Sequence, residues 1–498
     1  MSDLADRHPD LRGSPSARIR PVNRLGRDRR LRLSDLIVTL FVLVVGCVRA
    51  PEPVTRDGVH RPEVWVDAFS PTGGDGTSAH PLKTLPQPVP GGTTVHLRTG
   101  LYPGPFVLAE GGRLEGQGEV VLTGETGQTV LSAARASIDN VSIQGGDLGL
   151  EAGAGVVVTR AHFSGQRKRA VLVRGALAMS ESRLEASVEG IDGVVVERGA
   201  QLRLENTKFT GGFRRAVMTE GGTVDLQVVS AEGPKTLVHA IDATSRLHGV
   251  RSILGSGPAL FFAGGTVELT EAEIRGHEYA VQLARGVDAK LSGVHATGAR
   301  EGCVNAIDST LTLSNSTLAE CGPSGALFLL GSHSTLTELE ITQARELGIL
   351  VRKGQATLRL VHISKVSGSG ESLGDGLHVR DGQVVVESIS VSDVEGSAVY
   401  ASAFAELSVR RLEVERARHS ALFVERGAKV TVGAMLVRGG GTAVVVPDAA
   451  RVDVESLSVA GGNEMPVYAE CAAGAQVKLG RVESTVQQLP SHCVLISK

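Results

Sequence analysis

The stretch VRDGQVVVESISV, residues 379–391, contains the pattern that decides the fold. A Val-x-x-Gly turn precedes a short segment in which Val384 and Val386 alternate with other residues. A second short segment, Ile389-Ser390-Val391, follows a few residues later. Alternation with a period of two indicates β-strands with one buried and one exposed face. The stretch therefore predicts short strands separated by tight turns.

The same turn and strands recur along the chain. Variants of the turn lie at residues 173–176, 195–200, 351–354 and 423–428. Each unit reads as three short strands in about 20 to 25 residues. A right-handed parallel β-helix has this construction, because each coil adds one strand to each of three parallel sheets, about 4.8 Å along the axis. We therefore predict an all-β fold, a right-handed parallel β-helix solenoid with three short strands per coil and roughly 15 coils.

Other repeat folds and other compositions are a poorer match. Leucine-rich repeats need a recurring Leu-x-x-Leu-x-Leu pattern, left-handed helices need strict hexapeptides, and propeller blades need about 40 residues. Aromatic residues make up 3% of the chain and hydrophobic residues 42%. Small and β-branched side chains therefore fill the predicted narrow core. The net charge of −3 gives no reason to expect nucleic acid as a partner.

Residues 1–46 have the features of an N-terminal extension followed by an export signal. Arg27 to Arg32 is cationic, Leu36 to Val45 is apolar and uncharged, and Gly46 precedes Cys47. A cationic region, an apolar run of about ten residues and a small residue before the cleavage site describe a secretory signal peptide. The apolar run is too short to cross a bilayer, which needs about 20 residues.

Val44-Val45-Gly46-Cys47 resembles the lipobox of bacterial lipoproteins. The resemblance implies that Cys47 is lipidated, that it begins the mature protein, and that the lipid attaches the chain to a membrane. Val48, where an aspartate would imply inner-membrane retention, favours the outer membrane, with the body in the periplasm or at the cell surface. Residues 47–63 would then be the lipidated cysteine and a flexible, Pro-containing tether. An ordinary signal peptide or short anchor with an unmodified cysteine is the alternative.

The segment 64–110 carries a second resemblance. It is similar to the opening of the pectate-lyase-like β-helix superfamily, where a strand and a Gly/Asp loop lead into a Gly-Thr-containing strand. The matching stretches are Val64 to Asp67, Gly73 to Thr77, His80 to Leu85 and Gly92 to Tyr102. The resemblance implies that residues 64–110 cap the N-terminal end of the solenoid and that residues 111–498 contain the repeats.

Four cysteines follow Cys47. Cys303 and Cys321 are 18 residues apart, and Cys471 and Cys493 are 22 residues apart, about one coil. Four cysteines allow three pairings. We expect the two local pairs, because distant coils of a rigid solenoid cannot meet and export to an oxidising compartment permits disulfides. Buried free thiols are the alternative.

The sequence shows no catalytic motif of the β-helix hydrolases and lyases. It contains no Asn-x-Asp, Asp-Asp, Gly-His-Gly or Arg-x-Lys motif, no P-loop, no dinucleotide fingerprint and no Cys/His metal cluster. We therefore predict no catalytic residue, no metal site and no cofactor.

Recurring Ile-Asp pairs are the nearest approach to a carboxylate cluster. Asp192, Asp242 and Asp308 are spaced by nearly two and three coils, which predicts one column of aspartates about 10 and 14 Å apart. Such distances are too long for a shared metal ion, so we interpret them as turn-capping residues. His277 and His378 are single histidines at turns or strand edges and are weak catalytic candidates.

The aromatic residues give little sign of a sugar site. Trp65 is the single tryptophan, and Tyr102, Tyr279, Tyr400 and Tyr468 are scattered along the sequence. Phe261-Phe262 and Phe328 are expected in the coil interior. Without an evident aromatic platform, a polysaccharide groove is disfavoured.

Two main hypotheses for function follow. The first is a non-catalytic, membrane-anchored β-helix that serves binding, adhesion or scaffolding, with a polysaccharide or another envelope protein as partner. The second is a carbohydrate-active enzyme, a lyase, hydrolase or epimerase, which rests on superfamily analogy. A subunit of a larger envelope assembly is a third option. A groove in which carboxylates and a basic residue converge would favour the enzyme, and the irregular coil Ser364 to Gly376 is where we expect it.

Replacing Cys47 by Ala tests the lipid anchor. In a Gram-negative host the native protein should carry a lipid-sized mass increment on Cys47 and pellet with membranes. The Cys47→Ala variant should lose both, as intact mass and fractionation would show. A native protein that is soluble, with a free N-terminus near residue 50, would contradict lipidation.

Overall fold

The computed structural model describes residues 62–369, 374–461, 466–484 and 493–496. Cys47, the predicted signal and most of the predicted tether lie outside these residues. The described chain is a right-handed parallel β-solenoid of about 17 turns, against the roughly 15 predicted. Its one helix is the single 3-10 turn Cys471–Ala473. Within the described ranges, no helix has the length and apolar character that spanning a membrane requires.

Thirty-eight strands are present in the described residues. Those of the N-terminal part are β1 Glu63–Val66, β2 Thr94–Pro103, β3 Phe106–Leu108, β4 Arg113–Gly124, β5 Thr129–Ala133, β6 Ser137–Asp139, β7 Ser142–Gly145, β8 Leu148–Ala152, β9 Val156–Thr159, β10 His162–Ser164, β11 Arg169–Val173, β12 Ala176–Ser180, β13 Arg183–Ala186, β14 Asp192–Val196, β15 Gln201–Glu205, β16 Lys208–Gly211, β17 Arg215–Glu220, β18 Thr223–Gln227 and β19 Ser230–Glu232.

The remaining strands are on average longer, because several bend from one face into the next. They are β20 Thr236–Ile253, β21 Leu260–Arg275, β22 Tyr279–Ala284, β23 Asp288–Thr297, β24 Gly302–Ile307, β25 Thr310–Ala319, β26 Leu327–Leu330, β27 His333–Thr342, β28 Leu347–Arg352, β29 Gln355–Ser364, β30 Asp375–Arg380, β31 Gln383–Val394, β32 Ser397–Ser402, β33 Glu406–Val424, β34 Lys429–Val446, β35 Arg451–Ala460, β36 Val467–Ala469, β37 Gln476–Ser484 and β38 Val494–Ile496.

The strands form three parallel faces. Sheet A begins at β3 and continues through β5, β8, β11, β14 and β17 to the C-terminal β36, with one strand from each coil. Sheet B begins at β1 and ends at β38, and sheet C follows sheet B in each coil. Within each sheet the register between coils is constant, so each strand residue stacks on its equivalent one coil away. Val171, Val194, Val217 and Val238 form one such inward row, and each is fully buried.

Residues in the left-handed backbone region form the corners. Such residues recur after sheet A, between sheets B and C, and after sheet C, where the chain must turn without losing register. Examples from the three corners are Asp242, Arg285 and Asp308; Asn140, Asn206 and Asn315; and Glu320, Gln343 and Lys365. At Gly265 a Cβ atom would lie 2.1 Å from the carbonyl oxygen of Ala243, so that corner has no room for a side chain.

Both described ends of the solenoid are tied down. At the N-terminal end β1 pairs with β2, and the Tyr102 hydroxyl donates a hydrogen bond to the carbonyl of Arg98. At the C-terminal end β38 pairs with β37, and a disulfide joins Cys471 to Cys493. Pairing and cross-linking reduce fraying of the terminal coils.

A substitution at Val228 would measure the free-energy cost of a left-handed backbone conformation at a corner. Val228 is β-branched, 55% exposed and has a φ of 54°, a conformation that asparagine tolerates better. Val228→Asn should raise the free energy of unfolding by about 1 kcal/mol in chemical denaturation. Val157 is similarly exposed but lies in the extended strand β9, so Val157→Asn is the matched control and should not stabilise. Equal effects of the two changes would contradict the strain at Val228.

Candidate interaction surface on the outer face of sheet A

One row of side chains along the outer face of sheet A is apolar or aromatic over most of its length. These residues occupy one register position in successive coils, between inward-facing neighbours, and most are partly buried. We call them the central outer row: Leu172, Val195, Met218, His239, Phe261, Gln282, Asn305, Phe328, Leu350, His378, Tyr400, Phe423, Val445 and Tyr468. A mostly apolar row on a solvent-facing sheet is typical of an interaction surface.

The aromatic rings of this row stack along the axis of the solenoid. The ring centroids of His239 and Phe261 are 4.7 Å apart, and those of His378 and Tyr400 are 4.3 Å apart. The Tyr400 and Phe423 rings are 5.0 Å apart and nearly parallel. Because these five rings cover each other's faces, they turn mainly their edges toward the solvent.

A second outward row lies beside the first, next to the corner that follows sheet A. Its middle is apolar and its two flanks are charged. We call it the flanking row: Glu197, Glu220, Ile241, Ala263, Ala284, Ile307, Leu330, Arg352 and Arg380. The four charged members are exposed.

The expectation that Phe261 and Phe328 lie in the coil interior is wrong. Phe262 is inward and 1% exposed, but Phe261 and Phe328 belong to the central outer row. Adjacent residues of a strand point to opposite faces, so a Phe-Phe pair cannot be buried as a whole. Tyr400 and Tyr468, which are distant in sequence, also share this row. Aligning the repeats on their turn glycines would have revealed this position.

A polar cluster supports the aromatic rings on the sheet A strands that follow the predicted insertion. Asp375 is fully buried, and its Oδ1 accepts a hydrogen bond from the Ser397 backbone N–H at 2.8 Å. The Nδ1 atom of His378 lies 3.2 Å from Asp375 Oδ2. The Tyr400 hydroxyl donates to Glu425 Oε1 at 2.7 Å, and burial together with this carboxylate raises the pKa of Tyr400. The cluster therefore fixes the ring orientations, and Tyr400 remains a protonated donor.

The coil expected to be irregular is the longest in the described register of sheet A. From Leu347 to its partner Asp375 the chain runs 28 residues, compared with 19 from Thr129 to Leu148. His378 lies on this coil and is held by Asp375. Residues 370–373 lie outside the described ranges. The insertion leaves the register of sheet A unchanged.

The three Ile-Asp pairs do not form one column. Asp242 and Asp308 share the corner that follows sheet A, three coils apart, as their spacing predicted. Asp192 instead begins strand β14, at the opposite edge of sheet A. It is bound by Arg214 and Arg215 at 2.6 and 2.8 Å. Burial alone would raise the pKa of Asp192, but the hydrogen bonds from the two guanidinium groups outweigh it and lower the pKa.

The four cysteines beyond Cys47 form the two local disulfides that we expected. Cys303 is bonded to Cys321 inside the core, and Cys471 is bonded to Cys493, with a Cα separation of 5.4 Å in each pair. The second pair does not join equivalent positions of adjacent coils, because Cys493 immediately precedes β38, which pairs with β37. Among the described residues, no group of three or more His, Cys, Asp or Glu side chains could hold a metal ion.

Comparison with known proteins agrees with this fold. A family model described as a right handed beta helix region matches residues 292–456. Comparison with curated protein sequences finds no match. Among solved structures, the native GH136 lacto-N-biosidase from Eubacterium ramulus matches with 9% identity over 71% of this chain and 67% of that chain, with a TM-score of 0.26. Its selenomethionine derivative matches with 8% identity over 82% and 68%, with a TM-score of 0.18.

His277, a weak catalytic candidate in the sequence, is a buried structural residue. It is fully buried, its Nε2 lies 3.0 Å from Ser252 Oγ, and its Nδ1 lies 3.2 Å from the Gly257 carbonyl. Burial lowers the pKa of His277 to about 4, although the contact with the Gly257 carbonyl opposes the shift. The histidine is therefore neutral in the folded protein at pH 7.

His277 contributes to the dependence of the protein's stability on pH. The unfolded chain binds a proton here near pH 6.5 and the folded chain near pH 4, so this contribution is complete above pH 6.5 and is lost as the pH falls toward 4. It amounts to about 3 kcal/mol. His277→Gln should reduce the difference in unfolding free energy between pH 7 and pH 4, measured by denaturation. The exposed His248→Gln control should leave it unchanged, and an unaltered difference in His277→Gln would refute this assignment.

Proposed function

We propose that this protein is a lipid-anchored protein of the bacterial cell envelope that acts by binding, with the outer face of sheet A as its protein-interaction surface. The observation that carries this proposal is the central outer row, in which most side chains of successive coils are apolar or aromatic. A partner that covered this row would remove a long apolar surface from water, the main driving force of protein association.

Two features support export to the envelope. The first is the signal-like sequence that ends at Cys47. The second is the pair of disulfides, because disulfides persist in the periplasm and at cell surfaces and are rare in the reducing cytosol. The lipid anchor and the outer-membrane location are further parts of the proposal, and both rest on the lipobox resemblance.

The polar groups beside the row support binding rather than catalysis. The Asp375 carboxylate is engaged by His378 and by a backbone N–H, and the Tyr400 hydroxyl is engaged by Glu425. These contacts hold the side chains of the row in place, which is the role that a fixed binding surface requires. Sugars stack on exposed ring faces, whereas the rings of His239 and Phe261, and those of His378, Tyr400 and Phe423, cover one another. The apolar surface of a protein is therefore the better match.

Photo-cross-linking in intact cells tests the binding surface. A photoreactive amino acid at Phe328, on the outer face of sheet A, should give covalent protein adducts. The same residue at Thr335, which is exposed on sheet B, is the matched control and should give few. Adducts are resolved on denaturing gels and identified by mass spectrometry. Equal adduct formation at both positions, or none at Phe328, would contradict the proposal.

A further inference from the structure

The charges of the flanking row are arranged about a centre. Five apolar residues, Ile241 to Leu330 in successive coils, separate two pairs of like charge. Glu220 and Glu197 lie on the N-terminal side, and Arg352 and Arg380 lie on the C-terminal side. Counted in coils, Glu220 and Arg352 are each three steps from Ala284. The row is thus antisymmetric in charge about Ala284.

These charges are poorly compensated within one chain. Val196 pairs with Thr219, so Glu197 lies beside Glu220, and Arg352 pairs with Arg380; the backbones within each like-charged pair are therefore about 4.8 Å apart. Like charges at directly neighbouring positions are destabilising. In the described part of the chain, Glu220, Arg352 and Arg380 form no ion pair, and Glu197 has only a 4.0 Å contact with Arg174.

We infer that a second copy of this chain packs face to face on sheet A, with the two solenoid axes antiparallel. This inference rests on the proposed binding surface and names its partner. A two-fold axis along the strand direction at Ala284 sets each row against itself and reverses the order of the coils. Glu220 of one copy then meets Arg352 of the other, and Glu197 meets Arg380. Both like-charged pairs gain opposite charges.

The central outer row fits the same operation. The axis at Ala284 passes through Gln282, whose side-chain amide both donates and accepts and so can pair with its own symmetry copy. On either side, Met218 meets Leu350, and His239 meets Phe328. Asn305, next to Gln282, is 8% exposed, and its Oδ1 lacks a hydrogen-bond partner in the described chain. The same operation places Asn305 opposite Phe261 of the other copy.

Charge exchange tests this arrangement in the full chain carrying Cys47→Ala, exported so that its disulfides form. By sedimentation velocity the parent protein should be a dimer. The E197R/E220R and R352E/R380E variants should each dissociate, with a dimer Kd weakened by about 100-fold or more, because like charges then face each other. Mixing the two variants in equal amounts should restore dimers, since opposite charges face again. Restoration distinguishes the interface from a folding defect.

The matched control exchanges two charges on the outer face of sheet C. Glu232 and Glu340 are exposed there, and E232R/E340R should remain dimeric. A monomeric parent protein, or a mixture that stays monomeric, overturns self-association. If the adducts at Phe328 then contain only other envelope proteins, the outer face of sheet A is still a binding surface, but its partner is a different protein. A protein that is monomeric and also gives no adducts at Phe328 would overturn the wider proposal as well.

Discussion

The constant parallel register between successive coils is the constraint on which the whole structure depends. Each strand forms its backbone hydrogen bonds with the strands one coil before and one coil after it, so a shift of one residue would turn every side chain to the opposite face. The environment of a residue is therefore a property of its row. Rows such as Val171 to Val238 fill the core, and the row that contains Tyr400 forms the surface.

Register also explains why small chemical differences between coils add up to a large surface feature. One outward aromatic ring contributes little by itself. Because the rows superimpose coil upon coil, His378, Tyr400 and Phe423 become a continuous ring stack, and Glu220 and Arg352 become the flanks of one apolar patch. The cluster of Asp375 and Glu425 is part of the same construction, because it orients rings that the register has already brought together.

The sequence was sufficient for the fold because strand alternation and turn glycines are local signals. Assigning residues to rows failed where we counted along the chain. Coil lengths in sheet A vary from 19 to 28 residues in the described register, so the distance from Asp192 to Asp242 matched two coils although the two residues lie at opposite edges of sheet A. Phe261 was misplaced for a different reason: apolar character alone does not say which face of a strand a residue occupies. The contact of Asp375 with the Ser397 backbone comes from a neighbouring coil and left no sequence motif.

The disulfide between Cys471 and Cys493 has a mechanical consequence. The hydrogen bonds between coils run along the solenoid axis, so an axial load would break them one coil at a time. At the C-terminal end the disulfide keeps a covalent loop of 22 residues closed, and this loop cannot be drawn out as extended chain. A pulling force would therefore extract less length from that end than from a solenoid without the bond. The residues between the two cysteines would stay joined as a loop under load.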